Sequence, residues 1–149
     1  MLEKNKLGLV DGGITFDDRG SITYCNELDL SNFKRYYIVS NFNKSFIRAW
    51  HGHKEETKIA MPIEGTVMFC VVKVNNWKNP NKKSDIKKFV ISSNQPKMLI
   101  IPSGHTHGFM TLTDNAKVIF YSDKTLEESI DDDFRLPFDY WNPWLINQR

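Results

Sequence analysis

All four histidines of this 149-residue chain fall in two short segments. Residues 48–58 read Arg-Ala-Trp-His-Gly-His-Lys-Glu-Glu-Thr-Lys, and residues 102–107 read Pro-Ser-Gly-His-Thr-His. On a β-strand, side chains two apart leave the same face, so His51 goes with His53 and His105 with His107. Gathered in one pocket, Arg48, His51, His53, Lys58, His105 and His107 form a strongly cationic site. Guanidinium and ammonium groups bind phosphate or pyrophosphate, and fixed cations stabilise the oxyanion of an enolate. An imidazole near neutrality removes a carbon-bound proton beside a ketone. Diphosphate binding and enolate formation together describe an enzyme acting on a keto nucleotide-sugar. One condition applies. Arg48 and His51 are three apart, so they share a face only if a bulge or bend intervenes near Ala49-Trp50. Without one, Trp50 faces away and joins the outer packing layer.

Short β-branched and aromatic runs punctuated by Gly, Asn, Asp and Pro must position these groups. The pattern predicts strands over Gly13–Phe16, Ser21–Tyr24, Lys34–Val39, Ser45–His51, Thr57–Ile63, Thr66–Val74, Ile86–Ser92, Lys97–Ile101, Gly108–Thr113 and Ala116–Ser122. Many short strands at near-regular spacing imply an antiparallel sandwich or barrel. Asp29–Lys34 and Leu126–Asp132 are the best helical candidates, both short, and the Asn/Lys-rich 75–83 segment with Pro80 predicts an exposed loop. The acidic run from Glu127 to Asp133 is expected to be a solvated turn or helix start. Phe134, Phe138, Tyr140, Trp141 and Trp144 crowd the tail, where such density seals a barrel end or a dimer seam.

The composition is that of one soluble domain spanning 1–149, with 40% hydrophobic and 26% charged residues. A net charge of +2, without a basic and aromatic stripe, argues against nucleic acid. No run of about 18 apolar residues points to a membrane span, and the first ten residues lack the apolar core of a leader peptide. Two cysteines, Cys25 and Cys70, make no disulfide framework, which is consistent with a reducing cytoplasm.

His51-Gly-His53, then Gly65, then Pro102-Ser-Gly104-His105-Thr-His107 resembles the layout of the cupins, an all-β jelly-roll barrel. The metal-binding members of that fold place a glutamate where this chain has Lys58, seven residues before Gly65. A divalent ion favours neutral imidazoles and a carboxylate, and an ammonium only donates. No metal and no cofactor are therefore expected.

More closely, the chain resembles the dTDP-4-dehydrorhamnose 3,5-epimerases and the related dTDP-sugar 3,4-ketoisomerases. The epimerase pattern is matched by Arg48-Ala-Trp-His51, Lys58, Gly65 and Ile101-Pro-Ser-Gly-His-Thr-His107-Gly-Phe109, and the ketoisomerase pattern by Arg48-Ala-Trp-His-Gly-His-Lys54. The tail, Asp-Asp-Phe-Arg-Leu-Pro-Phe-Asp-Tyr-Trp, resembles a shorter group of sugar epimerases from capsule and O-antigen clusters. The resemblance implies that His51 is the general base and that Arg48 and Lys58 contact the sugar or stabilise the enolate. His53, His105 and His107 would hold substrate, and Asp139 would orient the base. Arg19, at the Asp17–Gly20 turn, would reach the nucleotide of a partner subunit. The epimerase tyrosine acid falls on Phe120, which has no proton to donate. Either neighbouring Tyr121 enters through a bulge, another donor replaces it, or full epimerisation is lost. The ketoisomerase tyrosine, upstream of Arg48, has no clear match; Ser40 lies near that place and Tyr37 three residues earlier.

The resulting expectation is a cytoplasmic, homodimeric, metal-independent epimerase acting at C3, C5 or both on a 4-keto-6-deoxy nucleotide-diphosphate sugar for surface polysaccharide. A 3,4-ketoisomerase and a non-catalytic sugar-binding cupin are the alternatives.

Overall fold

The computed structural model describes residues 5–149; the first four positions, part of the segment read above for a leader peptide, lie outside the described residues. Twelve strands form: β1 (Gly8–Asp11), β2 (Gly13–Asp17), β3 (Gly20–Tyr24), β4 (Arg35–Asn41), β5 (Ile47–His53), β6 (Lys58–Glu64), β7 (Thr66–Lys73), β8 (Lys87–Ser92), β9 (Lys97–Ile101), β10 (His105–Thr111), β11 (Ala116–Ser122) and β12 (Phe134–Arg135). A short helix α1 (Leu126–Ser129) runs into a 3-10 turn over Ile130–Asp132. Two five-stranded antiparallel sheets, β1-β9-β6-β11-β4 and β12-β5-β10-β7-β8, face each other, and β2 and β3 form a separate hairpin. This is the expected all-β cupin jelly roll.

Alternation along the strands builds the interior. β11 reads buried at Ala116, Val118, Phe120 and Ser122, with its other residues half-exposed. Those inward side chains meet Phe69, Val71, Leu99 and Phe109 from neighbouring strands in the main core. β7 is buried from Val67 to Val72 because its second face is covered too. There Met68, Cys70 and Val72 pack with Trp50, Trp141 and Trp144. The tail aromatics thus cover the outer face of the second sheet rather than sealing an end. Trp50 is fully buried, and its indole N–H donates to the carbonyls of Phe138 (3.0 Å) and Trp141 (3.1 Å).

Several details depart from the periodicity. β1 and β12 are too short to stand out in the sequence; they pair with β9 and β5 as edge strands. β10 begins at His105, three residues before the predicted start, because Gly104 turns the chain at φ +79 and pairing with β5 starts at once, His105 opposite His53. Asp29–Lys34 forms no helix. The Asp29 carboxylate takes the N–H of Ser31 at 2.8 Å and makes a turn instead. Leu126–Asp132 is helical as expected, opened by a Thr125–Glu128 capping box. Cys25 and Cys70 are free thiols. No helix among the described residues is long and apolar enough to cross a membrane.

Candidate active site

A cavity of about 640 Å³ opens between the sheets. Arg35, Tyr37 and Val39 reach it from β4, Arg48, His51 and His53 from β5, Lys58 from β6, His107 and Phe109 from β10, and Phe120 from β11. Glu56, Ser129, Asp133 and Arg135 complete the wall near the 3-10 turn and β12.

The parity condition on β5 is met by a bulge. Arg48 opposes Phe109 and His51 opposes His107, so two residues, Ala49 and Trp50, stand against Gly108 alone. The Ala49–Trp50 peptide is cis. With the extra residue absorbed, Arg48 and His51 both line the cavity. The Arg48 guanidinium is anchored by Asn41 Oδ1 at 2.7 Å and the Ser40 carbonyl at 3.4 Å.

Lys58 is buried, and its ammonium donates to the Tyr37 hydroxyl at 2.7 Å. The Tyr37 ring lies against Phe120, centroids 5.2 Å apart and nearly parallel. Burial lowers the lysine's pKa, opposed by the nearby Glu56 carboxylate. Burial, then Glu56, raises that of Tyr37, so the phenol keeps its proton. Because Lys58 donates into the phenol oxygen, the Tyr37 proton is free for another acceptor.

His51, His53 and His107 are held neutral. Burial first, then the charges of Arg135 and Lys58, push His51 down to about 4. Burial and Lys58 also lower His53, with Glu56 acting in the opposite sense, and fully buried His107 is lowered well below the ordinary value by burial, then Lys58. The His53 Nδ1–H donates to the Asp132 carbonyl at 2.6 Å, which leaves Nε2 as the free ring nitrogen.

Tyr121, Asp139 and His105, anticipated at the site, lie elsewhere, and Arg19, expected to reach the nucleotide of a partner subunit, does not line this chain's own cavity. Tyr121 faces the opposite side of β11, beside Tyr36 and the Ile59 cluster. The register around Phe120 and Tyr121 is regular, the one slip in β11 falling at Lys117/Val118, so no bulge brings Tyr121 in. Asp139 is exposed beyond β12, and Asp133 occupies the cavity wall instead. Arg19 is exposed at the β2–β3 turn and paired with Asp17 at 2.5 Å. His105 lines a separate depression with Lys73 and Lys87.

Conversely, Tyr37, Arg35, Glu56, Asp132 and Asp133 gain importance. Asp132 is not a solvated residue of the acidic run. Its carboxylate accepts the backbone N–H groups of Lys54 (2.7 Å), Glu55 (2.9 Å) and Glu56 (3.0 Å) and shapes the turn after His53. Glu56 is 1% exposed; one carboxylate oxygen meets Arg35 (3.2 Å) and the Ser122 hydroxyl. His53, Glu56 and Asp132 are the one such trio among the described residues close enough to share an ion, within 4.8 Å. Backbone N–H groups take both Asp132 oxygens, Arg35 and Ser122 take Glu56 Oε1, and Nδ1 of His53 is spent on the Asp132 carbonyl, so with Glu56 Oε2 as the one open carboxylate oxygen this arrangement is a poor cation site.

The profile of the dTDP-4-dehydrorhamnose 3,5-epimerase family matches residues 15–137. The chain belongs to this family. Membership makes it an isomerase. A search of curated protein sequences found no significant match. Among solved structures, dTDP-4-dehydrorhamnose 3,5-epimerase from Bacillus anthracis, with TDP and pyrophosphate bound, superposes with a TM-score of 0.77 at 21% identity, over 99% of this chain and 90% of that one. A 3,4-ketoisomerase from Helicobacter canadensis gives 0.68 at 16% identity, over 93% and 96%. A 3'-monoepimerase from Streptomyces bikiniensis in complex with dTDP-quinovose gives 0.72 at 13%, over 93% and 74%. At these identities the superpositions establish the shared fold.

Proposed function

We propose that this family member isomerises a 4-keto-6-deoxy nucleotide-diphosphate sugar without metal or cofactor, His51 taking the proton on the carbon next to the ketone. The observation that carries the reading is a neutral, half-buried imidazole in the same cavity as a lysine–tyrosine pair. His51 has an open lone pair at physiological pH because its pKa sits near 4. As the C–H bond breaks, the ketone oxygen gathers charge, and Lys58 with the Tyr37 hydroxyl supplies the stabilising donors. Tyr37, protonated and lining the same cavity, then returns a proton to the enolate. Arg48, His53 and His107 position the sugar, and Arg35 and Arg135 face the diphosphate. Phe109, Phe120 and Val39 give the cavity an apolar wall suited to a deoxy carbon.

Of the two outcomes open to such an enolate, 3,4-keto transfer is the second reading. It is favoured by Phe120 at the tyrosine place of the epimerases, and by a donor on β4 paired with a second histidine on β5. We further propose a homodimer that uses the β4 edge, where Tyr36 (64%) and Ile38 (49%) are exposed, working in the cytoplasm to supply deoxysugars for capsule or O-antigen. The experiment is incubation with dTDP- and GDP-linked 4-keto-6-deoxyhexoses and NMR identification of the product. Inversion at C3 or C5 supports the epimerase, and a ketone moved to C3 the ketoisomerase. Tight binding with no product supports the non-catalytic cupin and overturns the proposal.

A further inference from the structure

Glu56 stands apart from the groups used above. It lies in the turn between β5 and β6, its carboxylate is wholly buried, and one oxygen is fixed by Arg35 at 3.2 Å and by the Ser122 hydroxyl. The other oxygen, Oε2, accepts no hydrogen bond although it is buried, and it stands 3.1 Å from Nδ1 of His53. The far nitrogen of that ring, Nε2, is likewise buried without a partner. Buried polar atoms are nearly always satisfied, and an orphaned pair on either side of one ring calls for an explanation. A structural ion pair would aim the Nδ1–H at the carboxylate, but here the Nδ1–H is given to the Asp132 carbonyl at 2.6 Å. The carboxylate is therefore placed to compensate a charge that arises on the ring only when Nε2 gains a proton.

We propose that Glu56 is a positioning residue that makes His53 a second proton acceptor beside His51, its buried carboxylate balancing the imidazolium that forms when Nε2 takes a proton from the substrate. The proton moves from a substrate carbon or hydroxyl to Nε2 and returns to substrate later in the cycle, so nothing is consumed. The inference rests on the isomerase reading and adds a second protonatable centre to it. One acid–base group suffices to invert a single centre with a separate donor. A second acceptor on the same strand serves a reaction that exchanges two protons, at C3 and C5 or at C3 and the C4 oxygen. The charged and titratable groups facing His53 are Lys58 from β6, His107 from β10, Glu56 from the turn and Asp132 from the 3-10 turn.

The test is Glu56→Gln, of the same shape but uncharged, with Glu56→Asp as the variant that keeps the charge. Turnover is read as a pH profile, and the ring nitrogens of His53 are followed by 15N NMR in histidine-labelled protein without substrate. In Glu56→Gln, kcat should fall about tenfold or more with little change in KM. The acidic limb of the profile and the His53 titration should both move to lower pH, because the imidazolium loses its counter-charge. Glu56→Asp should keep both near wild type. An unchanged His53 titration in folded Glu56→Gln overturns the inference, whether or not the protein turns over. So does a loss of activity that follows melting temperature alone and is equal in both variants. Wild-type protein that binds nucleotide-sugars but exchanges none of their protons overturns the isomerase reading instead; the His53 titration is still read in that case.

Discussion

His51 is a base only while its imidazole is uncharged, and the cavity keeps it so. Burial with Arg135 and Lys58 lowers it from 6.5 to about 4, so the acidic limb attributable to it should lie near pH 4 in kcat/KM. The same shift fixes a sign for stability. The folded-state pKa is below the unfolded one, so the unfolded chain holds the extra proton between about 6.5 and 4. The contribution is complete above that window and is lost as pH falls through it. Urea midpoints measured from pH 7 to 4 should therefore decline, and His51→Asn should flatten part of the decline. A second prediction concerns the donor. Tyr37→Phe should lower kcat by about a hundredfold while substrate binding persists, as read by steady-state kinetics and calorimetry; unchanged kcat would remove Tyr37 from that role. Arg48, His51, His53, Lys58 and His107 were legible because two short motifs hold them, with parity joining His51 to His53 and a bulge required for Arg48. Glu56 was not. Lys-Glu-Glu-Thr reads as a solvated turn, and its burial depends on Asp132, brought back from the far side of the chain to bind the backbone of that turn.

Elements decide which of two neighbouring side chains enters the cavity. On β11 a register that is regular from Val118 to Ser122 sends Phe120 in and Tyr121 out. On β5 a single extra residue reverses parity between Arg48 and His51. The need for that bulge could be argued from the sequence, since one pocket cannot otherwise hold both residues. Its partner, Gly108, could not, because only the paired strands show what faces it. A Cβ there would strike Ala49 and approach the Trp144 ring at 3.1 Å. Gly108→Ala should thus cost about 1–3 kcal/mol by urea denaturation and lower kcat/KM by displacing the Arg48–His51 segment. The short strands β1 and β12 stayed hidden because their few residues have no period of their own and exist through pairing with β9 and β5.

At the scale of the molecule, the two sheets supply a rigid frame with the chemistry between them and a tryptophan layer behind. Trp144 is 5% exposed, packs 5.1 Å from the Trp50 ring and does not line the cavity. Trp144→Ala should therefore destabilise the fold by about 3–5 kcal/mol while leaving kcat near wild type at low temperature, as shown by thermal melts beside activity assays. An antiparallel sandwich or barrel was readable from strand count and turn residues, and the jelly roll from the likeness of the two histidine segments to the cupins. The tail's role was not, since aromatic density alone does not tell a sheet face from a barrel end. In the proposed reaction His51 abstracts a proton next to a sugar ketone. The most direct test is deuterium wash-in from D2O into a dTDP-linked 4-keto-6-deoxyhexose, followed by NMR for the wild type and His51→Asn. Label beside the ketone is expected with the wild type and none with the folded variant. Equal labelling by both, or no labelling by a wild type that binds the sugar, would contradict the proposal.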